Sequence, residues 1–281
     1  MRRTIAIATA LLALTFTTAA SAAVPGLNLV EAGSGPPNSN AGHTATAECP
    51  EDQALLGLGG RSNGGGGQVV LDTLAARTKD SATVHGHEDQ DGFSGNWSVT
   101  AFAICADDGG ERRTTFNEPL NSINPKFATT ADGGPCTNER RLTGAGGEIP
   151  IGATGQVVLD TIIPSADLET VSVRAQEDQD GFAGNWSLRP FALCADPLPG
   201  HELVTATSES NSRNKHITAA CPAGKRVIGT GGQILSGSGE VSIQYMVPDA
   251  ALTRVHVRGV EDQDGRAQNW RVRAFAICAN G

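Results

Sequence analysis

An all-β fold of three tandem antiparallel repeats is predicted by three features of this sequence. A ten-residue stretch occurs three times, as Glu88–Trp97 (EDQDGFSGNW), Glu177–Trp186 (EDQDGFAGNW) and Glu261–Trp270 (EDQDGRAQNW), and carries every tryptophan of the chain. Short Val/Ile/Thr-rich runs alternate with Gly, Asn, Asp and Pro clusters, with no long helical periodicity between them. Six cysteines, at 49, 105, 136, 194, 221 and 278, fall at matching places in the three units. Two packings satisfy these features. The favoured one is three small β-sandwiches packed together; the alternative is a threefold β-prism in which each repeat supplies one sheet.

Taken in order, residues 1–22 read as a signal peptide. Arg2 and Arg3 give the positive start, Ile5 to Phe16 the apolar run and Ala20-Ser21-Ala22 the cleavage site. The apolar run is too short for a permanent span, and no later segment is long and apolar enough for one. The expectation is a secreted, extracellular chain without membrane insertion. Loss of Arg2 and Arg3 moves the net charge from -9 to -11, which opposes nucleic acid and anionic membranes as partners. An extracellular glycan or protein remains the expected partner.

The repeats are expected at 23–107, 108–195 and 196–281, with 23–26 a loose arm. Each begins with two strand-like runs, the second ending at the first cysteine, as in His216 to Cys221. Eight residues on comes Gly-x-Gly-Gly, at Gly57–Gly60, Gly144–Gly147 and Gly229–Gly232. These glycines lack the strand-to-helix setting of a nucleotide site, so close sheet packing or a tight bend explains them better. Val69-Val70-Leu71-Asp72 and its counterparts at 157 and 241 form the next strand, and a fifth precedes the acidic turn.

The sixth strand fixes the most geometry. Trp and Cys lie eight apart in every copy, so both share one face. That face, Trp97, Val99, Ala101, Ala103 and Cys105, is apolar and belongs to the core. The opposite face turns apolar at Phe102 and Ile104 and needs a second partner, which the neighbouring repeat can provide. Two disulfide sets respect the threefold order: 49–105, 136–194 and 221–278 within repeats, which is favoured, or 105–136, 194–221 and 49–278 between them. A bridge closing a loop of about 57 residues contributes roughly 4 kcal/mol through chain entropy.

The block Cys221-Pro222-Ala223-Gly224-Lys225-Arg226-Val227-Ile228-Gly229-Thr230-Gly231-Gly232, with Trp270 and Ala274-Phe275-Ala276-Ile277-Cys278-Ala279, resembles repeat modules of exported bacterial proteins of unassigned function. The middle repeat departs from it with Cys136-Thr137. The Cys-Pro pairs, the glycines and the count of three are also similar to the vitelline membrane outer layer family, whose fold is a disulfide-bonded threefold β-prism. Neither resemblance implies a catalytic residue.

The acidic turn carries the candidate chemistry. Asp89 and Asp91, Asp178 and Asp180, Asp262 and Asp264 form a partial calcium-loop pattern, with Glu88, backbone carbonyls or Asn96, Asn185 and Asn269 as further oxygen donors. The competing reading is a hairpin turn whose Asp side chains satisfy backbone N–H groups. The same Asp and Asn side chains could hydrogen-bond a sugar. His85 and His87 beside Glu88 could hold zinc in the first repeat alone. Gly60-Arg61-Ser62-Asn63-Gly64 matches a nucleophile-elbow pattern by chance, since no helix is expected after it. The sequons at Asn96 and Asn185 sit against core-directed tryptophans. The sequence therefore predicts an exported, non-enzymatic binding or structural module with three acidic loops. The alternatives are a calcium-stabilised, lectin-like protein and a secreted hydrolase with a site between repeats.

Overall fold

The computed structural model describes residues 22–107, 113–116, 120–121, 129–132, 135–150 and 155–281. Residues 1–21 of the expected signal peptide and 108–112, where the second repeat is expected to begin, lie outside these. The described residues contain no helix, so none is long and apolar enough to cross a membrane.

Alternation of apolar and polar side chains makes the strands. The first repeat gives β1 (Asn28–Gly33), β2 (Gly42–Glu48), β3 (Gln53–Asn63), β4 (Val69–Ala76), β5 (Ser81–Glu88) and β6 (Ser98–Asp107). The second gives β7 (Arg113–Phe116), β8 (Leu120–Asn121), β9 (Thr129–Asp132), β10 (Arg141–Glu148), β11 (Val157–Pro164), β12 (Val171–Glu177) and β13 (Ser187–Ala195). The third gives β14 (Glu202–Thr207), β15 (Lys215–Ala220), β16 (Lys225–Leu235), β17 (Val241–Pro248), β18 (Arg254–Glu261) and β19 (Arg271–Asn280). Strand β2 shows the rule plainly: His43, Ala45 and Ala47 are buried while Thr44, Thr46 and Glu48 face water.

The strands form three antiparallel sheets, ordered β1-β6-β3-β17-β18-β15, β2-β5-β4-β10-β13-β7 and β14-β19-β16-β11-β12-β9. Each repeat splits into two three-stranded halves that pack face to face as a small sandwich. Each half then continues, edge to edge, into a half of another repeat. The seams are β3–β17, β4–β10 and β11–β16. The sheets thus close a ring of repeats. The expected sandwiches are present, but every sheet is shared by two repeats, where the prism expectation gave one whole sheet to each. The reason is the apolar second face of the sixth strand and its neighbours, which has no cover inside its own repeat.

Gly-x-Gly-Gly marks the places where backbones meet. A Cβ on Gly57 would run into Ile228 O, on Gly144 into Leu56 O and on Gly229 into Thr143 O, so β3, β10 and β16 touch around one axis. The last glycine of each motif lies in a seam, as in the pairs Gly60–Met246, Gly147–Leu74 and Gly232–Ile162.

The disulfides are Cys49–Cys105, Cys136–Cys194 and Cys221–Cys278, the within-repeat set. Such bridges point to an oxidising compartment. Trp97, Trp186 and Trp270 are fully buried on the same face as their cysteines. Burial of one indole contributes up to about 5 kcal/mol of transfer free energy. Residues 23–26 are not a loose arm. Val24 N–H donates to Asn280 O and Asp107 N–H to Pro25 O, tying the start of the described chain to its end.

Candidate functional site

The last strand of each repeat starts just after its tryptophan and passes its cysteine near the far end, so the acidic turns lie at one end of the molecule. The disulfides lie at the other, about 26 Å away for eight extended residues. The turn itself follows from its residues. Asp89 Oδ1 accepts from the N–H groups of Asp91 (3.1 Å) and Gly92 (3.0 Å). Asp178 Oδ1 accepts from Gly181 N–H and Asp262 Oδ1 from Gly265 N–H, both at 2.9 Å. Gly92, Gly181 and Gly265 take φ of 72°, 74° and 74°, which glycine reaches without strain. The leading glutamate is occupied as well. Trp97, Trp186 and Trp270 donate their indole N–H to Glu88, Glu177 and Glu261 at 2.8, 3.0 and 2.6 Å. Glu88 therefore serves the core, and its Oε1 is engaged there.

The three turns meet. Gln90 Nε2 donates to Asp180 Oδ2 (2.5 Å), Gln179 Nε2 to Asp264 Oδ2 (2.9 Å) and Gln263 Nε2 to Asp91 Oδ2. Each repeat gives one amide and receives one, so the hydrogen bonds close a ring. Glycines bring the turns close enough. A Cβ on Gly67 would strike Glu261 O, on Gly155 Glu88 O and on Gly239 Glu177 O. The glutamines and these glycines escaped the sequence reading. The one signal available was the repetition of Gln in an exposed turn where nothing local requires it.

Inside the ring is a chamber of about 20 Å³, room for one water-sized particle. Asp89, Asp178 and Asp262 line it, with Val70, Val158 and Ser242. Valines in two repeats are replaced by serine in the third. Ser242 is 5% exposed, and its hydroxyl has no hydrogen-bond partner. Burial pushes Asp89 and Asp178 up to about 6, and the neighbouring carboxylates add to the shift. Asp262 is raised for the same reasons. Asp91, Asp180 and Asp264 are exposed on the rim.

Asn96, Asn185 and Asn269 are exposed and take no part in the ring's hydrogen bonds. Asn269 lines a separate hollow beside Trp270 and Arg273. Among the described residues, no three His, Cys, Asp or Glu side chains converge closely enough to hold a metal ion directly. His85 Nδ1 is paired with Asp72 at 2.7 Å, His87 Nδ1 lies 2.7 Å from Glu88 O, and Glu88 Oε1 accepts the Trp97 indole, so the three residues of the expected zinc set do not converge on one point. Ser62 lies buried within β3, its hydroxyl directed at Gln244 O, and is no nucleophile elbow. No family model matches this chain, and no curated protein matches it.

Proposed function

We propose that the protein is an exported, non-enzymatic binding module whose three acidic turns act as one face. The closed Gln–Asp ring carries this reading. It makes a single preorganised surface from three loops, and it commits the repeated carboxylates to hydrogen bonding rather than to acid–base chemistry. The exposed rim carboxylates and the nearby Asn96, Asn185 and Asn269 offer an extracellular glycan or protein both acceptors and donors. Preorganised loops lose little conformational entropy on binding. The test is a glycan array probed with the full oxidised chain and with the Asp91→Ala, Asp180→Ala, Asp264→Ala triple variant. Binding that disappears in the variant supports the reading; a blank array removes the glycan partner.

A second reading is favoured by the chamber. Three crowded carboxylates with raised proton affinity, beside an unpartnered hydroxyl, would be relieved by a cation on the axis. A single calcium ion would then sit among Asp89, Asp178 and Asp262 in place of one for each Asp-x-Asp-Gly loop, with the turns moving apart to admit the rest of its oxygen ligands. A melt at millimolar calcium and again with EDTA decides: an upward shift with calcium that EDTA reverses supports it, and identical melting temperatures exclude it.

A further inference from the structure

The three sheets are equivalent in backbone but differ on their outer faces. One cross-strand row shows this best. In the second sheet it runs Thr44–His85–Thr73–Glu148–Arg189. In the third, the corresponding residues are Thr130–Arg174–Thr161–Gln233–Arg273. In the first they are His216–Arg258–Tyr245–Arg61–Thr100.

The difference lies in the compensating carboxylates. Strands β4 and β11 each carry a bulge that places an aspartate beside the row, and that aspartate neutralises the basic residue there. Asp72 lies 2.7 Å from His85, and Asp160 takes both Arg174 Nε and Nη2 at 3.0 and 2.6 Å. Glu148 further neutralises Arg77 and Arg189 in the second sheet. In the first sheet the bulge residue is Gln244, and Arg61 stands where the second sheet has Glu148. Among the described residues neither Arg61 nor Arg258 has a carboxylate partner, and Arg61 Nε is buried without any hydrogen bond. This row is an uncompensated positive strip on a protein of net charge -9.

The strip is also shaped. Arg61, His216, Tyr245, Val247 and His256 line a hollow of about 340 Å³, within the range of small-ligand sites. The chain's only tyrosine is half-buried on its floor, and Arg61 is held in place over the Phe102 ring at 5.5 Å. His216 Nε2 and His256 Nδ1 stand 3.2 Å apart at the hollow's edge. His216 is held below its ordinary proton affinity, first by burial and then by its neighbours His256 and Arg258.

We propose that this face of the first sheet, centred on Tyr245 between Arg61 and Arg258, binds an acidic saccharide. The phenol ring offers a stacking surface for a sugar ring, and guanidinium groups pair with carboxylate or sulfate oxygens. Neutral sugars would leave the strip uncompensated. This site is independent of the acidic ring.

Calorimetric titration of the full oxidised chain tests the assignment, with a galacturonic acid trisaccharide, a sulfated galactose trisaccharide, neutral galactotriose and sodium sulfate as probes. One or both acidic trisaccharides should bind, the one that binds identifying the anionic group, with affinity falling as salt is raised. Galactotriose and sulfate should bind at least tenfold more weakly. Tyr245→Ala and Arg61→Gln should each weaken the acidic ligand about tenfold. Gln244→Asp, which restores the carboxylate present in the other two sheets, should do the same while leaving the hollow's lining residues unchanged. The Asp91→Ala, Asp180→Ala, Asp264→Ala triple variant should bind as the parent does. No binding of either acidic trisaccharide, equal binding of galactotriose or sulfate, or full affinity in folded Arg61→Gln and Gln244→Asp would each overturn the proposal.

Discussion

At the acidic end of the axis the three repeats are nearly interchangeable, while on the outer faces of the sheets they are not. Around the axis every repeat contributes the same glutamate to its indole, the same glutamine to its neighbour and the same glycine under the next turn. The outer rows carry His85, Arg174 and Arg258 at one level, with Asp72 beside the first, Asp160 beside the second and, among the described residues, no carboxylate beside the third. The contrast has a physical origin. A residue at the axis touches its counterparts in the other repeats, so a change in one copy disturbs a contact that all share. An outward-facing residue touches only its own sheet and water. Departures from threefold order therefore mean different things in the two regions: outside they are permitted, whereas at the axis a departure such as Ser242 requires a partner.

The largest break in the shared end should come from the indoles. Trp97→Ala, Trp186→Ala and Trp270→Ala each leave a large cavity and an unpaired glutamate beneath the ring. Each should cost about 3–5 kcal/mol in urea unfolding. Similar losses in the three variants would support equivalence of the repeats; a loss under about 1 kcal/mol in one copy would show that its core is carried by its neighbours. Closure of the ring ranks next. Gly67→Ala, Gly155→Ala and Gly239→Ala drive a methyl group into a neighbouring backbone carbonyl, and Gly155 and Gly239 also have φ of 77° and 85°. Each should lower stability by about 2 kcal/mol or more and weaken the Gln–Asp ring, read by faster amide exchange at the three turns.

Much of this was legible in the sequence because it is local. An even Trp–Cys offset fixes a shared face whatever the strand pairs with, and cysteines in threefold register leave two bridge patterns. Gly-x-Gly-Gly announced close backbone contact through its missing side chains, but not that its contacts come from another repeat, as with Gly229 and Thr143 or, farther along the chain, Gly57 and Ile228. Periodicity reports which face is apolar; it does not report which strand covers it. The acidic turn was readable as turn chemistry, since Asp and Gly act within four residues of each other. The glutamine between them was not, because its partner is Asp180, Asp264 or Asp91 on a different repeat. The basic row of the first sheet is the extreme case. Its residues come from five strands, at sequence positions from 61 to 258, and only the register brings them into line.

Ser242→Val sharpens the comparison from the other side. It gives the third repeat the valine of the other two and removes a buried hydroxyl that has no partner. If the chamber holds nothing, the variant should be more stable by about 1 kcal/mol. If a cation occupies it, calcium-dependent stabilisation should shrink in the variant. The two outcomes have opposite signs in the presence of calcium, so a pair of melts separates them.

The smallest expected effect concerns protons at the ring. Asp89 and Asp178 rise from 3.8 to about 6 on folding, and Asp262 moves the same way. Between about pH 4 and 6 the folded state holds protons that the unfolded state has released. The contribution of these groups to stability is therefore largest below pH 4 and is lost as pH climbs through 6. His201 acts in the opposite sense: burial lowers it to about 4, so its contribution is lost as pH falls through that region. The informative quantity is thus the difference between the parent and Asp89→Asn, Asp178→Asn, Asp262→Asn together. Asparagine retains the Oδ1 acceptor for the turn and removes the charge. At pH 7 the triple variant should melt about 2 °C above the parent, a modest figure because half-exposed carboxylates are screened by solvent. Near pH 4 the gap should close. A gap independent of pH would show that folding does not raise these three carboxyl groups, and that burial in the chamber does not shield them from water.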